Sequence, residues 1–433
     1  DTTIVNTAIP AMAHHLNEDP LRMHSVVVAY VLSVAACIPL SGWLADRFGV
    51  RNTFLSAIII FTLASLGCGL SQSLNQLLFF RVIQGVGGAL LLPVGRLSLL
   101  KIIPRTQFLA AMSLMSLAGL LGPLAGPTLG GWLVEVATWH WIFLINIPMG
   151  VLGILMTLKV MPNVKEPTVK TFDLIGFVLL VIAMIGWSLG IEHLASPEYS
   201  KWFSISLLVV GAVATLWYAY HSHTHQNALF RSRLFRNKIY AIGILGNFFA
   251  RFGGNALPFV LPLMFQVAFG FEPFIAGLMM IPLVLGSLFS KPIVRPIIQK
   301  MGYRRFLLIN TTLVGLCIAS FTIMTVDTPT WFRALHFFLF GTLNSLQFVG
   351  MNTLTLKDLP QQDASSGNSF LSMIMMLSMS IGVALAGTLI NVFTDYYGTA
   401  HVTTAFHVTL ICLGCINIIT ALIFWQIPKN TPV

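Results

Sequence analysis

The chain has 433 residues, of which 56% are hydrophobic and only 9% charged, with a formal net charge of +10. A soluble domain carries roughly 25% charged residues, so these side chains cannot coat a water-facing surface of this size and most of it must face lipid. The basic excess is scattered through short loops without interleaved aromatics, which argues against a nucleic-acid partner.

Apolar runs recur from end to end, each near the roughly 20 residues that cross a bilayer core as a helix. They predict spans near 1–13, 23–44, 53–71, 77–98, 107–131 and 140–160. The first opens at Asp1 without Met or a charged leader, so its helix is expected to be truncated at the start. A polar stretch, 162–173, holds Lys165, Glu166 and Lys170, and two spans follow near 174–193 and 202–220. Beyond a basic segment with Arg231, Arg233, Arg236 and Lys238, six more spans fall near 239–268, 273–294, 305–325, 331–356, 366–393 and 404–426. The expected fold class is all-α integral membrane with about 14 transmembrane helices. A six-helix bundle occupies 1–160, a connecting region with two additional spans 161–238, and a second six-helix bundle with its tail 239–433.

Orientation follows from the side on which the loops hold Lys and Arg, because short cytoplasmic loops are enriched in both. One side carries Arg47, Arg51, Lys101, Arg105, Lys165, Lys170, the cluster from Arg231 to Lys238, Lys300, Arg304 and Arg305. The other has little beyond Arg22, Lys201 and Arg333, and holds Glu18, Asp19, Glu135, Glu198, Glu272, Asp327 and Asp395. That asymmetry fits an even span count with both termini in the cytoplasm. The five cysteines all lie in apolar runs, where a thiol is a small hydrophobe, and the pair Cys412 and Cys415 lacks a second pair, so no metal is assigned there. His221, His223 and His225 alternate in an expected cytoplasmic loop. Such a run can ligate metal, but a solvated polar loop is the simpler reading, and no metal site is assigned.

The loop Gly42-Trp-Leu-Ala-Asp46-Arg47-Phe-Gly49-Val-Arg51 is echoed by Arg295-Pro-Ile-Ile-Gln-Lys300-Met-Gly302-Tyr-Arg304. Each follows the second span of its block, the internal symmetry of transporters built from two similar bundles with a substrate site between them. The first of these loops resembles the signature of the major facilitator superfamily. The resemblance implies a gating loop, Gly42, Asp46, Arg47, Gly49 and Arg51, with Arg295 and Arg304 as its counterparts, making and breaking contacts during alternating access.

Three further runs resemble the same family. Arg81-Val-Ile-Gln84-Gly85-Val-Gly87-Gly88 is similar to the segment associated with proton coupling, and a cation inside the bilayer is a functional-site candidate by default. Gly122-Pro123-Leu-Ala-Gly126-Pro127-Thr-Leu-Gly130-Gly131 is similar to the helix signature of the family's exporters, its four-residue glycine spacing permitting close helix contact. The opening run through Asn6 and Pro10, and Trp139 to Pro148, resemble the fourteen-span drug:proton antiporters. What the resemblance implies is a bacterial inner-membrane exporter, monomeric, that needs no cofactor beyond a proton gradient, with Arg81 and Gln84 as coupling residues. Coupling also needs a group that can gain and lose a proton, and Asp1 is the expected one.

The interior offers few acids: apart from Asp1 they sit at span ends or in loops, Glu192 on an added span being nearest to an interior position. Basic residues are more numerous there, Arg81, Arg96 and Arg251. Guanidinium groups suit bidentate recognition of carboxylate or phosphate, so Arg96 and Arg251, with Asn6, Asn247, Asn255 and Gln347, are expected to line a cavity biased toward small organic anions, citrate-like acids or their metal chelates. Export of cationic or neutral lipophilic drugs stays open, as does a receptor or scaffold that transports nothing. His336 is a further group that could carry a proton, and a satisfied interface histidine is the simpler reading of it. An enzyme is not expected, since no Ser-His-Asp spacing, HExxH or Walker sequence occurs.

Overall fold

A computed structural model describes residues 2–102, 122, 125–166, 171–194, 200–225 and 227–428. Asp1, Pro123 and most of the expected fifth span lie outside the described residues. Among those residues every regular element is helical, and eleven segments are long and apolar enough to cross a membrane. One of the eleven, Pro273–Ile323, runs over two spans that part at Gly302. The arrangement is consistent with fourteen spans.

In the first block α1 is Thr2–Leu16, α2 His24–Cys37, α3 Leu40–Phe48, α4 Val50–Gly69 and α5 Leu74–Ile102. A helix over 125–136 is α6, followed by α7 Trp141–Leu144 and α8 Asn146–Val160. The run expected as one span over 23–44 is thus α2 and α3, parted at Ile38 and Pro39, where a proline cannot donate to the preceding turn. The added hairpin is α9 Leu174–His193 and α10 Lys201–Thr224. In the second block α11 is Lys238–Phe249, α12 Phe252–Leu263, α13 Pro273–Leu278, α14 Ile281–Ser320, α15 Thr330–Lys357, α16 Gln361–Tyr397 and α17 Val402–Phe424.

The repeated loops share one backbone conformation. Gly49 parts α3 from α4 at φ 92°, ψ 150°, and Gly302 divides α14 at φ 72°, ψ 156°. That region is essentially open to glycine alone and costs another residue of order 1–3 kcal/mol. A Cβ on Gly302 would meet nothing, whereas one on Gly49 would strike the side chain of Asn163. Gly302→Ala is therefore expected to lower thermal stability by about the backbone cost alone, and Gly49→Ala by more. Unfolding of the two variants in detergent measures the difference.

The buried side chains show how the blocks meet. On the side away from the arginine-rich loops, Ile4, Val5, Val26, Phe143, Phe259, Phe265, Phe337 and Leu410 belong to one continuous core that spans both blocks. Toward the basic side each block has its own: Ala45, Val50, Ala57 and Val94 in the first, Ile298, Phe306, Leu354 and Phe424 in the second. The bundles are joined at the first end by the shared core, and a further core links α2 to α9 and α16 through Leu32, Ala36, Leu180, Met184, Phe370 and Leu377.

The added hairpin is not an appendage. Gly186 meets Gly211 backbone to backbone, which lets α9 and α10 pack closely. On its other face α9 contacts both α2 and α16. The Ser188 and Ser380 hydroxyls lie 2.9 Å apart, and Thr388 Oγ1 donates to the carbonyls of Ile191 and Glu192.

Candidate functional site

Gly49 turns the chain so that the first repeated loop lies on the segment after α8. Asn163 Nδ2 donates to the Phe48 carbonyl at 3.4 Å, its Oδ1 accepts from the Asn52 amide, and the Glu166 amide donates to the Asp46 carbonyl. Arg47 lies over Trp43 at 5.0 Å. Arg51 is half-buried with its Nε turned inward, while Gly42 has open space around it. In the second loop Arg304 lies over Trp425 at 5.0 Å and Arg295 is exposed.

Arg81 is fully buried rather than reaching for the interface. Its Nε donates to the Val26 carbonyl at 3.1 Å, its Nη1 to Gln84 Oε1 at 2.6 Å, and its guanidinium sits 4.2 Å above the Tyr30 ring. Gln84 passes the chain on, Nε2 donating to Ser65 at 2.7 Å, where Asn146 Nδ2 also donates. One cation thereby ties α2, α4, α5 and α8 together. Gly85 and Gly88 give room to Ser33 and Tyr30, and Gly87 to the α4 backbone.

The glycine stripe of α6 lies between the bundles. Gly126 and Gly130 face Thr3, Ile4 and Thr7 of α1, and Gly131 abuts the backbone of Pro273 and Phe274 at the start of α13. Across the same contact Gly277 meets the Pro127 carbonyl, and Glu135 Oε1 accepts from the Phe274 amide at 2.8 Å. Gly122 accepts from Thr3 at 3.4 Å. The joined end is closed further by α1: Asn6 Nδ2 donates to the Pro258 carbonyl at 3.0 Å and Gln266 Nε2 to that of Thr7 at 3.1 Å.

Arg251 occupies the break between α11 and α12 and is only 4% exposed. Its Nε and Nη2 both donate to Asn247 Oδ1, at 2.9 and 2.8 Å, and Nη2 also to Asn352 Oδ1 at 3.0 Å. The guanidinium lies 3.8 Å from the centre of the Phe348 ring. Asn247 is held in turn by the Gly243 carbonyl and by Thr355. Among the described residues no carboxylate pairs with this buried cation. Burying a charge without a counter-charge is costly, so the acceptors around Arg251 hold the guanidinium without neutralising it.

The remaining cavity candidates divide. Asn255, half-buried, is one turn beyond Arg251 and its amide donates to the Arg251 carbonyl at 2.8 Å. Gln347 is spent on packing, accepting from Asn310 at 2.9 Å and donating to Thr311. Arg96 is exposed on α5 and has no bond to the Arg251 cluster. His336 is taken up by Ser320 at 3.1 Å and the Cys317 carbonyl, as its interface reading requires.

A second polar pair is buried at the joined end. His24 Nε2 lies 3.7 Å from Glu192 Oε1, with side-chain exposures of 6% and 8%. The pair lines a cleft of about 640 Å³ between α2, α5, α9 and α16, whose other charged or titratable residues are Glu18, Asp19, Arg22, Cys37, His193 and Asp395.

This arrangement can be set against known proteins. The family described as Major Facilitator Superfamily matches residues 1–383. The chain belongs to the major facilitator superfamily. The multidrug resistance protein MdtD of Salmonella dublin is 52% identical over 439 residues, covering 100% of this chain and 92% of that protein, and the same-named protein of Salmonella typhi is 51% identical with the same coverage. Among solved structures a D-xylose-proton symporter superposes with a TM-score of 0.69 at 16% identity, covering 100% of this chain and 95% of that one. A POT family transporter in complex with 5-aminolevulinic acid gives 0.69 at 17%, covering 98% and 91%. At those identities the likeness is one of fold. The protein is a multi-pass membrane transporter of the superfamily, and its relatives are transporters rather than enzymes.

Sequence reasoning within the superfamily frame found Asn247 and Arg251 but missed Asn352 and Phe348. Both lie on α15 with Asn344 and Thr355, at the three- and four-residue spacing of one helical face, and that polar stripe was a legible signal. His24 gave none: a lone histidine at a helix start acquires meaning only beside Glu192.

Proposed function

We propose that the protein is a proton-coupled secondary exporter of the bacterial inner membrane that works by alternating access, with both termini and the basic loops in the cytoplasm. Its central site favours small organic anions such as citrate-like acids or their metal chelates. The observation that carries the anionic reading is Arg251, a buried guanidinium between α11 and α15 held by neutral acceptors only. A carboxylate substrate supplies the counter-charge that the protein withholds. Export is supported by the α6 glycines and by the relatives named for multidrug resistance. With the basic side cytoplasmic, an inward opening would form where the blocks keep cores of their own, by parting the core that α2 shares with α9 and α16. The repeated loops, on the moving ends of the bundles, would gate that opening. The same relatives favour a second reading, export of lipophilic drugs.

Inverted vesicles with an imposed acid-inside gradient separate the two. Labelled citrate is expected to accumulate in step with the gradient, and accumulation of a cationic dye without citrate defeats the anion reading.

Proton carriage is best supplied by His24 and Glu192, whose cleft also presents Glu18, Asp19, Arg22, His193 and Asp395. In this reading the pair binds one proton from the outer side and releases it when the seam between α2 and α9 parts. Arg81 and Gln84 brace the first bundle around α2, and Asp1 would add a second carboxylate. Glu192→Gln is expected to lower gradient-driven uptake at least tenfold while leaving substrate counterflow, which needs no net proton movement, near the parent rate. Equal loss of both sinks the assignment.

A further inference from the structure

The histidine run expected in a loop is helical through Thr224, so His221 and His225 close the last turn of α10, one turn apart. Their rings stack with centroids 4.9 Å apart and 17° between planes. Beside them, from a different element, stands Asp173, the buried cap of α9. One ligand atom from each of Asp173, His221 and His225 lies within 4.8 Å of the others. We propose that these three residues form a binding site for a divalent transition metal of the zinc or nickel class at the basic end of the α9–α10 hairpin.

The chemistry favours such an ion over magnesium or calcium. Two imidazoles and one carboxylate are donors of the borderline kind that select zinc, nickel or copper, whereas hard cations take all-oxygen shells. Two histidines one helical turn apart present their nitrogens on the same face, and a single carboxylate from elsewhere completes a three-residue set with a position left for water. The His221 Nε2 to Asp173 Oδ1 hydrogen bond, 2.8 Å long, already brings two of the three together. Coordination exchanges that bond for two bonds to the ion, at roughly 2.0–2.2 Å each, and draws in His225, whose exposed ring gives the ion a way in from solvent.

The carboxylate is held as metal ligands usually are. Asp173 Oδ1 accepts from the Gly176 amide at 2.9 Å and Oδ2 from the Leu229 amide at 3.2 Å. The 227–230 segment is anchored independently, Tyr218 bonding both the amide and the carbonyl of Phe230. Arg233, further along the chain, is neutralised by a two-pronged contact to Asp363 at 2.7 and 3.0 Å. His223, on the opposite side of the turn, is engaged with Ser232 at 3.1 Å and takes no part. A bound ion would clamp the start of α9, the end of α10 and the segment leading into the second bundle.

The test needs no transport assay and is independent of the export reading. Zinc chloride and nickel chloride are titrated calorimetrically into the full chain in lipid nanodiscs, and thermal unfolding is followed with and without zinc. The parent and His223→Ala are expected to bind one ion and to unfold at a higher temperature with zinc. His225→Ala, which deletes an exposed ring, and His221→Asn, which keeps a donor toward Asp173, are expected to bind at least tenfold more weakly and to lose the zinc-dependent rise. X-ray absorption at the zinc edge is expected to report two imidazole nitrogens. No binding by the parent, undiminished binding by both variants, or an all-oxygen shell overturns the proposal.

Discussion

Arg251→Ala is expected to cut gradient-driven uptake of a carboxylate substrate by about 10- to 150-fold, the equivalent of the 1.5–3 kcal/mol that a hydrogen bond to a charged group contributes. The guanidinium is only 4% exposed, lies against Phe348 and shares its hydrogen bonds between Asn247 and Asn352. The deletion therefore removes charge without removing a partner's counter-ion. Asn247 keeps its Nδ2 bonds to Gly243 and Thr355, but its Oδ1 and that of Asn352 lose their donor and Phe348 its stacked guanidinium. The temperature of thermal unfolding is therefore expected to fall somewhat, and uptake is compared at equal amounts of folded protein. Arg251→Lys is the sharper variant: it keeps the charge and loses the planar fork, so it is expected to fall between the two. The readout is uptake of citrate beside a neutral lipophilic substrate in the same vesicles. Loss confined to the anion marks recognition, and equal loss of both means that Arg251 serves the moving parts instead.

The second large effect is expected at the closed end. A methyl group on Gly131 would run into the Pro273 carbonyl, and one on Gly277 into the carbonyl of Pro127. Backbone cannot move aside as a flexible side chain can, and overpacking of this kind costs typically 1–3 kcal/mol. Here the chain has another arrangement available, so the cost is expected to appear as a shift between states. At 1.36 kcal/mol per factor of ten, Gly131→Ala raises the population with the bundles parted at this end by about 5- to 150-fold. In a cysteine-free background, a cysteine at position 266, where Gln266 meets the Thr7 carbonyl, is expected to react faster with an impermeant maleimide in the Gly131→Ala protein. An unchanged rate would mean that α6 and α13 accommodate the methyl group without separating.

The helical architecture was legible because lipid leaves few options. With 9% charged residues, span ends are written as clusters of polar residues, and the repeat around Gly49 and Gly302 could be read as a pattern before its shared backbone conformation was visible. The break at Pro39 inside one apolar run was not read, because hydropathy sums over a kink. Nor was the helical state of His221, since a polar run beyond a span is compatible with either helix or loop until packing decides. At the site, Arg251 announced itself as a cation in an apolar run. Its partner Asn352 is 101 residues away, and the meeting of His24 with Glu192 depends on where the added hairpin docks. Neither distance is encoded in local periodicity. Arg96 illustrates the converse: the same residue type in the same kind of run stands exposed, because which face of α5 it occupies is a tertiary fact.

The docking of α9 sets which half of the molecule carries the extra helices during the cycle. Toward α16 it is fastened by hydrogen bonds from Ser188 and Thr388. Toward α2 a polar link is made by His24 with Glu192. When the two halves rock, the hairpin is therefore expected to ride with the C-terminal half as cargo bolted to its flank, sliding against α2. Whatever state of charge His24 and Glu192 are in then sets how freely that slide begins.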